Sequence, residues 1–394
     1  MFHQNDVLEK ASETCKFVQL EQDANELDSL FICNYLEQCS TARPLTKPNC
    51  DLTVLLPSNF TTNKIILLLR MDHIISDSGT VAIILNDLNS LLYTTTDSEE
   101  ERCLELPPLS ADQVVDSKHG EKVFLNLSVE EKVRGWALPT MPKVKIIEPI
   151  GRSGHLLHTL TKEQSDTLHS AARQLVVSVT ALLHAIVVLR FGVKFIEEEE
   201  KNKESVWFDS YPIDTRPALL QQQYSGNAFV PMFISMQKYG QALTLFRQGG
   251  QKRNGIALLA KDAMNEYEKA SSNAYRSALA RYSRAIMCVH QNYITEGGYA
   301  YFKQLCHFYS DSRLDDRYMP QKGTQQQIKT KIISYQTHLD MNSDSALFFR
   351  GYAFASRTTI SLDWSKAFWK DDTIHPFFQD VIQDVLSYLN NTES

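Results

Sequence analysis

The sequence predicts an α/β (α+β) fold of two domains, with mixed sheets flanked by helices, and three stretches predict it. Ile65, Ile66, Leu67, Leu68 and Leu69 are five apolar residues in a row, the pattern of a strand covered on both faces. A polar turn follows, and then Val81, Ile84, Leu85, Leu88, Leu91 and Leu92 recur at helical spacing. Residues 154–191 read as a strand followed by two helices. Between these units, Trp136-Ala-Leu-Pro139-Thr-Met-Pro142 carries two prolines and reads as a crossing linker. A chain of 394 residues suffices for one large or two medium domains. The boundary is placed within residues 130–148, giving domains 1–140 and 141–394.

The first stretch organises the rest. Residues 51–57 alternate as a strand, residues 58–63 turn, and residues 65–69 return antiparallel. The hairpin delivers the polar run Arg70, Asp72, His73, Ser76, Asp77 and Ser78 to one end of a sheet, before Gly79 releases the backbone. A lone histidine near a strand end is commonly structural. Here His73 and Asp77 share one short turn between a strongly apolar strand and helix. A second polar cluster, Tyr211-Pro-Ile-Asp214-Thr-Arg216, follows another aromatic strand-like run and precedes Gly226-Asn227. A neutral imidazole on a rigid strand end is a candidate general base near neutral pH.

The remaining chain is read in order. Residues 15–20 suit a strand, residues 26–36 a short helix or strand, and residues 40–50 a loop. Thr161-Lys-Glu-Gln164 is a capping-box pattern opening a helix to about Leu175. Residues 178–191 are apolar nearly all round, which predicts a buried helix, and its His184 is read as a satisfied core residue. Residues 206–211 and 229–236 read as strands, and 239–296 as mostly helical with breaks at Gly249-Gly250 and Asn254-Gly255. Residues 328–336 and 346–363 read as strands, Trp364 and Trp369 flank a turn, and Pro376 opens a last helix.

Composition excludes several classes. The net charge is −7 and no basic block stands out, so nucleic acid is not an expected partner. No apolar run approaches the length of a membrane span, and the first residues lack the pattern of a signal peptide. Seven scattered cysteines without a C-x-x-C pair suit free thiols in a reducing, cytoplasmic setting, and no metal site is expected.

His73-Ile-Ile-Ser-Asp77-Ser78-Gly79, then Ile213-Asp-Thr-Arg216, then Gly226-Asn227, resemble the ordered motifs of the chloramphenicol-acetyltransferase-like superfamily. That superfamily includes plant-type BAHD acyltransferases, alcohol and trichothecene acetyltransferases, and condensation domains of peptide synthetases. Its motif is H-x-x-x-D, commonly with glycine next, whereas Gly79 stands one place later. The resemblance implies a two-domain fold with the site at the domain interface, open from two sides. It implies an acyltransferase moving an acyl group from a CoA thioester to an alcohol or amine, with His73 as base. Asp77 and Arg216 would pair and support the site, while Ser76, Gly79 and Asn227 are candidates for substrate or oxyanion contacts. Acyl-CoA, acetyl-CoA for instance, would be a co-substrate rather than a resident cofactor, the acceptor a small molecule, and the chain a monomer. Two alternatives stand beside it, a weak or inactive relative and a condensation-domain-like protein acting on carrier-bound thioesters. The D-F-G-W-G segment of plant-type enzymes is not reproduced, and Ser361-Leu-Asp-Trp364 is the nearest echo. His73 also comes early for the superfamily, so the chain is expected to be N-terminally short and to lack an early strand and helix covering a sheet edge.

Overall fold

The computed structural model describes residues 15–21, 29–39, 50–56, 58, 65–71, 80–81, 83–85, 139–196, 204–214, 216, 229–272, 305–314, 332–341 and 344–390. Among these residues the chain folds as a mixed α/β structure with three separate sheets.

The first sheet has the order β1-β2-β3. Strand β1 (Cys15–Gln19) lies parallel to β2 (Cys50–Leu56), and β2 pairs antiparallel with β3 (Ile66–Met71). The register sets Leu52 opposite Leu69 and Val54 opposite Leu67, so the hairpin aligns apolar residues across the ladder. Helix α1 (Ser29–Cys39) follows β1. A strand and a helix thus precede β2, close to where the sequence suits a strand over 15–20 and a short helix or strand over 26–36. Their patterns are short and weakly apolar, and Phe17 of β1 is 72% exposed. Strand β3 differs from expectation. It runs on through Arg70 and Met71, and its residues are only half-buried. Among the described residues β3 stands at the edge of a three-stranded sheet, with no strand on its other side.

The second sheet has the order β4-β9-β8-β7. Strands β4 (Ser153–Thr159), β9 (Arg357–Ser365) and β8 (Leu347–Phe354) pair antiparallel, and β7 (Cys306–Arg313) joins β8 in parallel. Ala355 and Ser356 both have positive φ, 51° and 60°, which is the turn that matches the right-handed twist of a two-residue hairpin. Gly154 faces Trp364 across the ladder, and a Cβ there would collide with the indole. Residues 332–341 join no ladder, so the described part of the strand expected over 328–336 is absent, and residues 328–331 lie outside the described residues. Strand β7, by contrast, was not anticipated. A third ladder pairs β5 (Trp207–Asp214) antiparallel with β6 (Phe229–Met236).

Helices fill the space between ladders. Thr161 caps α2 (Lys162–Leu175) with the full capping box, its hydroxyl accepting from the Gln164 N–H while the Gln164 side chain accepts from the Thr161 N–H. Ser178 caps α3 (Val179–Phe195) by accepting from the Ala181 N–H. Helix α3 is the centre of the core, with Leu182, Ile186, Val188, Leu189 and Phe191 fully buried. Each such aliphatic side chain contributes about 1.5–3 kcal/mol of transfer free energy. Around it lie α4 (Tyr239–Arg247), α5 (Lys252–Ser271) and α6 (Asp371–Asn390). Arg190 of α3 donates twice to the Asp384 carboxylate of α6, at 2.5 and 2.6 Å, and Lys252 of α5 reaches the same carboxylate. One buried acid thus ties three helices together.

Two breakers sit inside helices instead of ending them. Gly255 lies in α5, not at a break, because a Cβ there would press on the Ala242 carbonyl and the Phe246 backbone of α4. Its absence lets the two helices approach closely. Pro376 lies inside α6, which opens earlier, at Asp371, with two acids in its first turn where the helix dipole favours negative charge. Pro376 removes one intrahelical N–H without stopping the helix. No single helix among the described residues is long and apolar enough to cross a membrane. The α2–α3 pair passes on composition alone, is bent by 94°, and contributes α3 to the core.

Candidate active site

Strand β3 ends at Met71, two residues before His73. His73, Ser76, Asp77, Gly79 and Asn227 lie outside the described residues, as does the contact expected between Asp77 and Arg216. The flanks of the motif are described on both sides. Before it, Arg70 forms an ion pair with Asp340 at 2.9 Å. After it, Thr80 opens a helical stretch that includes Val81 and residues 83–85, and Thr80 is only 3% exposed.

Arg216 is buried at 4% exposure and spans the two parts of the chain. Its Nη1 donates to Asp214 Oδ1 at 3.1 Å, and its backbone N–H donates to the same oxygen at 3.0 Å. Its Nη2 donates to Thr80 Oγ1 at 3.2 Å, across 136 positions of sequence. Asp214 therefore holds the guanidinium from its own strand end, and the guanidinium holds the residue three places beyond Asp77. A cavity of about 430 Å³ lies elsewhere, between β1 and α1, lined by Leu20, Phe31 and Tyr35. Leu20 hydrogen-bonds to Leu56, at the other end of the β2–β3 hairpin from Met71.

Two buried carboxylates gather histidines that sequence reading did not connect. Asp209 of β5 lies between His307 of β7, with Nδ1 2.5 Å from Oδ1, and His184 of α3, with Nε2 3.4 Å from Oδ2. His184 Nδ1 is 2.6 Å from the Tyr267 hydroxyl of α5. Burial alone would raise the Asp209 carboxyl. The two imidazoles outweigh it and hold the group below the usual carboxylate range. Burial pushes the Tyr267 hydroxyl well above its ordinary value. His184 is thus a core histidine with a partner, as its apolar helix suggests.

The second carboxylate is Asp363 of β9, whose Oδ1 lies 2.9 Å from His155 Nδ1 and 3.2 Å from His338 Nδ1. His155 and Asp363 are register partners on β4 and β9, and His338 arrives from the 332–341 segment. Burial would raise the Asp363 carboxyl, yet hydrogen bonds from the two histidines hold it far below the usual range. Burial also lowers His338, against the opposing pull of Asp363. The signal in the sequence was faint. His155 and Asp363 each stand among apolar strand residues, but 208 positions separate them.

By sequence, no family model and no curated protein matches the chain. Solved structures do. A trichothecene 15-O-acetyltransferase from Fusarium sporotrichioides is similar with a TM-score of 0.68 and 13% identity, over 98% of this chain and 79% of that one. The epimerization domain from the third module of tyrocidine synthetase B is similar with a TM-score of 0.57 and 10% identity, over 96% of this chain and 80% of that one. The cyclization-docking bidomain of EpoB from Sorangium cellulosum gives 0.56 and 13%, over 95% and 70%. Likeness at this identity is a likeness of fold. The chain therefore has the two-domain fold of the chloramphenicol-acetyltransferase-like superfamily, the one its ordered motifs resemble.

Proposed function

We propose that the chain is an acyltransferase that moves an acyl group from acyl-CoA, acetyl-CoA for instance, to the hydroxyl or amine of a small acceptor, with His73 as general base. The supporting observation is the framing of the His73-x-x-x-Asp77 turn, which leaves the end of β3 and is followed by Thr80, bonded to buried Arg216. In this reading His73 takes the acceptor proton as the oxygen or nitrogen attacks the thioester carbonyl. The tetrahedral intermediate collapses, the C–S bond breaks, and the thiolate leaves with that proton. Ser76, Gly79 and Asn227 are the candidates to stabilise the oxyanion or position substrate. Asp77 and Arg216 act as support, and the site lies between domains 1–140 and 141–394. The chain works as a cytoplasmic monomer.

His73→Ala should lower acyl transfer about 10²–10⁴-fold, the usual contribution of a positioned base. Release of free CoA from acetyl-CoA measures it, and a variant with wild-type turnover removes His73 from the mechanism. A second reading, transfer from a carrier-tethered thioester, is favoured by the likeness to an epimerization domain and a cyclization-docking bidomain. Offering the same acyl group on CoA and on a phosphopantetheinylated carrier protein separates the two. A chain inert with both donors is a catalytically inactive relative.

A further inference from the structure

We propose that His155, His338 and Asp363 form a binding site for a divalent transition-metal ion of the zinc class, at the seam where residues 332–341 meet β4 and β9. Among the described residues these three present donor atoms within 4.8 Å of one another. The Nδ1 atoms of both imidazoles converge on one carboxylate oxygen, at 2.9 and 3.2 Å. A tetrahedral zinc ion with bonds of about 2.0–2.2 Å has ligand-to-ligand edges of about 3.3 Å. Two of the three edges, 2.9 and 3.2 Å, are already close to that length, and all three donor atoms lie within 4.8 Å of one another.

Hydrogen bonds alone leave this cluster poorly satisfied. If each imidazole gives its Nδ1 proton to Asp363, both Nε2 atoms become buried acceptors, and neither has a hydrogen-bond partner. His155 Nε2 then faces an oxygen of Asp340 at 3.9 Å, one acceptor against another. Ligation through Nδ1 moves the proton to Nε2, which turns that atom into a donor aimed at a carboxylate. A ligating histidine oriented by an outer carboxylate is the usual arrangement around zinc. Asp363 is oriented in the same way, because its Oδ2 accepts the Leu339 N–H at 3.0 Å and leaves Oδ1 for the centre. Two imidazoles and one carboxylate suit zinc, cobalt or copper rather than magnesium or calcium.

Asp340 lies beside His155 and pairs with Arg70, while the Arg350 guanidinium, paired with Asp311, acts on His338 and Asp363. Asp340 is one-third exposed and marks an entry path beside the buried ligands. Occupancy would clip the 332–341 segment to the sheet, and through Asp340–Arg70 it would firm the end of β3.

Chelator-stripped protein titrated with Zn²⁺ and Co²⁺ tests the site. One saturable equivalent is expected, with a rise in Tm on adding zinc. His338→Gln should weaken binding at least about 100-fold, and Asp340→Asn about 10–100-fold, the usual effect of losing an outer partner. His338→Cys should add a thiolate-to-cobalt charge-transfer band absent from the wild type, which identifies position 338 as a ligand. The absence of one saturable equivalent in the wild-type chain overturns the site, and that measurement stands even where a variant fails to fold. Wild-type affinity in His338→Gln overturns it as well.

Discussion

Asp363 and Asp209 are both buried carboxylates held between two histidines, yet they are built to different ends. At Asp363 the two imidazoles converge on one oxygen, with Nδ1 distances of 2.9 and 3.2 Å. At Asp209 they diverge, one on each oxygen, and the contact series continues from His184 to the Tyr267 hydroxyl. Convergence creates a point of high electron density suited to a cation. Divergence creates a brace, which joins β5, β7, α3 and α5 through one acid. Donor geometry, rather than residue composition, separates a binding centre from a strut.

The comparison breaks most visibly at the acids themselves. Asp209→Ala removes the shared carboxylate from buried His184 and partly exposed His307 and should cost about 3–5 kcal/mol, the usual penalty for removing one partner of a buried charged pair. Asp363→Ala in zinc-free buffer should cost a similar amount, but it alone should also abolish the stabilisation by zinc. Urea denaturation of each variant with and without zinc reads both effects, and a zinc response that survives Asp363→Ala erases the distinction.

Acid should reach the brace next. The folded Asp209 carboxyl is held below its unfolded value. The unfolded chain therefore binds the proton first, so the contribution is complete above about pH 4 and is lost as pH falls through the folded value. The acid limb of a stability–pH curve should flatten in Asp209→Asn. An unchanged limb means that the brace carries no linked proton.

Smaller changes sharpen the contrast. Tyr267→Phe deletes the hydroxyl beside His184 Nδ1 and leaves that buried nitrogen without this partner, which should cost about 1–2 kcal/mol. Zinc affinity should not move, and a change in it would mean that the two centres are coupled. The least effect belongs to Arg70→Met. Its pair with Asp340 is about one-third exposed on both sides, so the loss should be about 0–1 kcal/mol. A larger loss would show that β3 depends on the 332–341 segment more than an exposed ion pair allows.

What the sequence determined by itself is local. The capping box at Thr161, the apolar α3, the β2–β3 hairpin and the strand at 229–236 rest on neighbours within a few residues, where periodicity and turn chemistry speak directly. The order of three short motifs also pointed to the superfamily whose fold the chain adopts. What only the tertiary structure decided is the pairing of distant polar residues. Arg216 meets Thr80 across 136 positions, and His155 meets Asp363 across 208. Gly255 reads as a break and Pro376 as the opening of the last helix because local propensity disfavours both inside helices, whereas close packing on α4 and the burial of α6 outweigh that preference. Residues 328–336 read as a strand because their apolar residues suit one, but the described part of that stretch, 332–336, joins no ladder, and residues 332–341 instead bring His338 and Asp340 to the β4–β9 seam. A buried polar group needs partners wherever the fold supplies them, and such a need leaves no periodic trace in the chain.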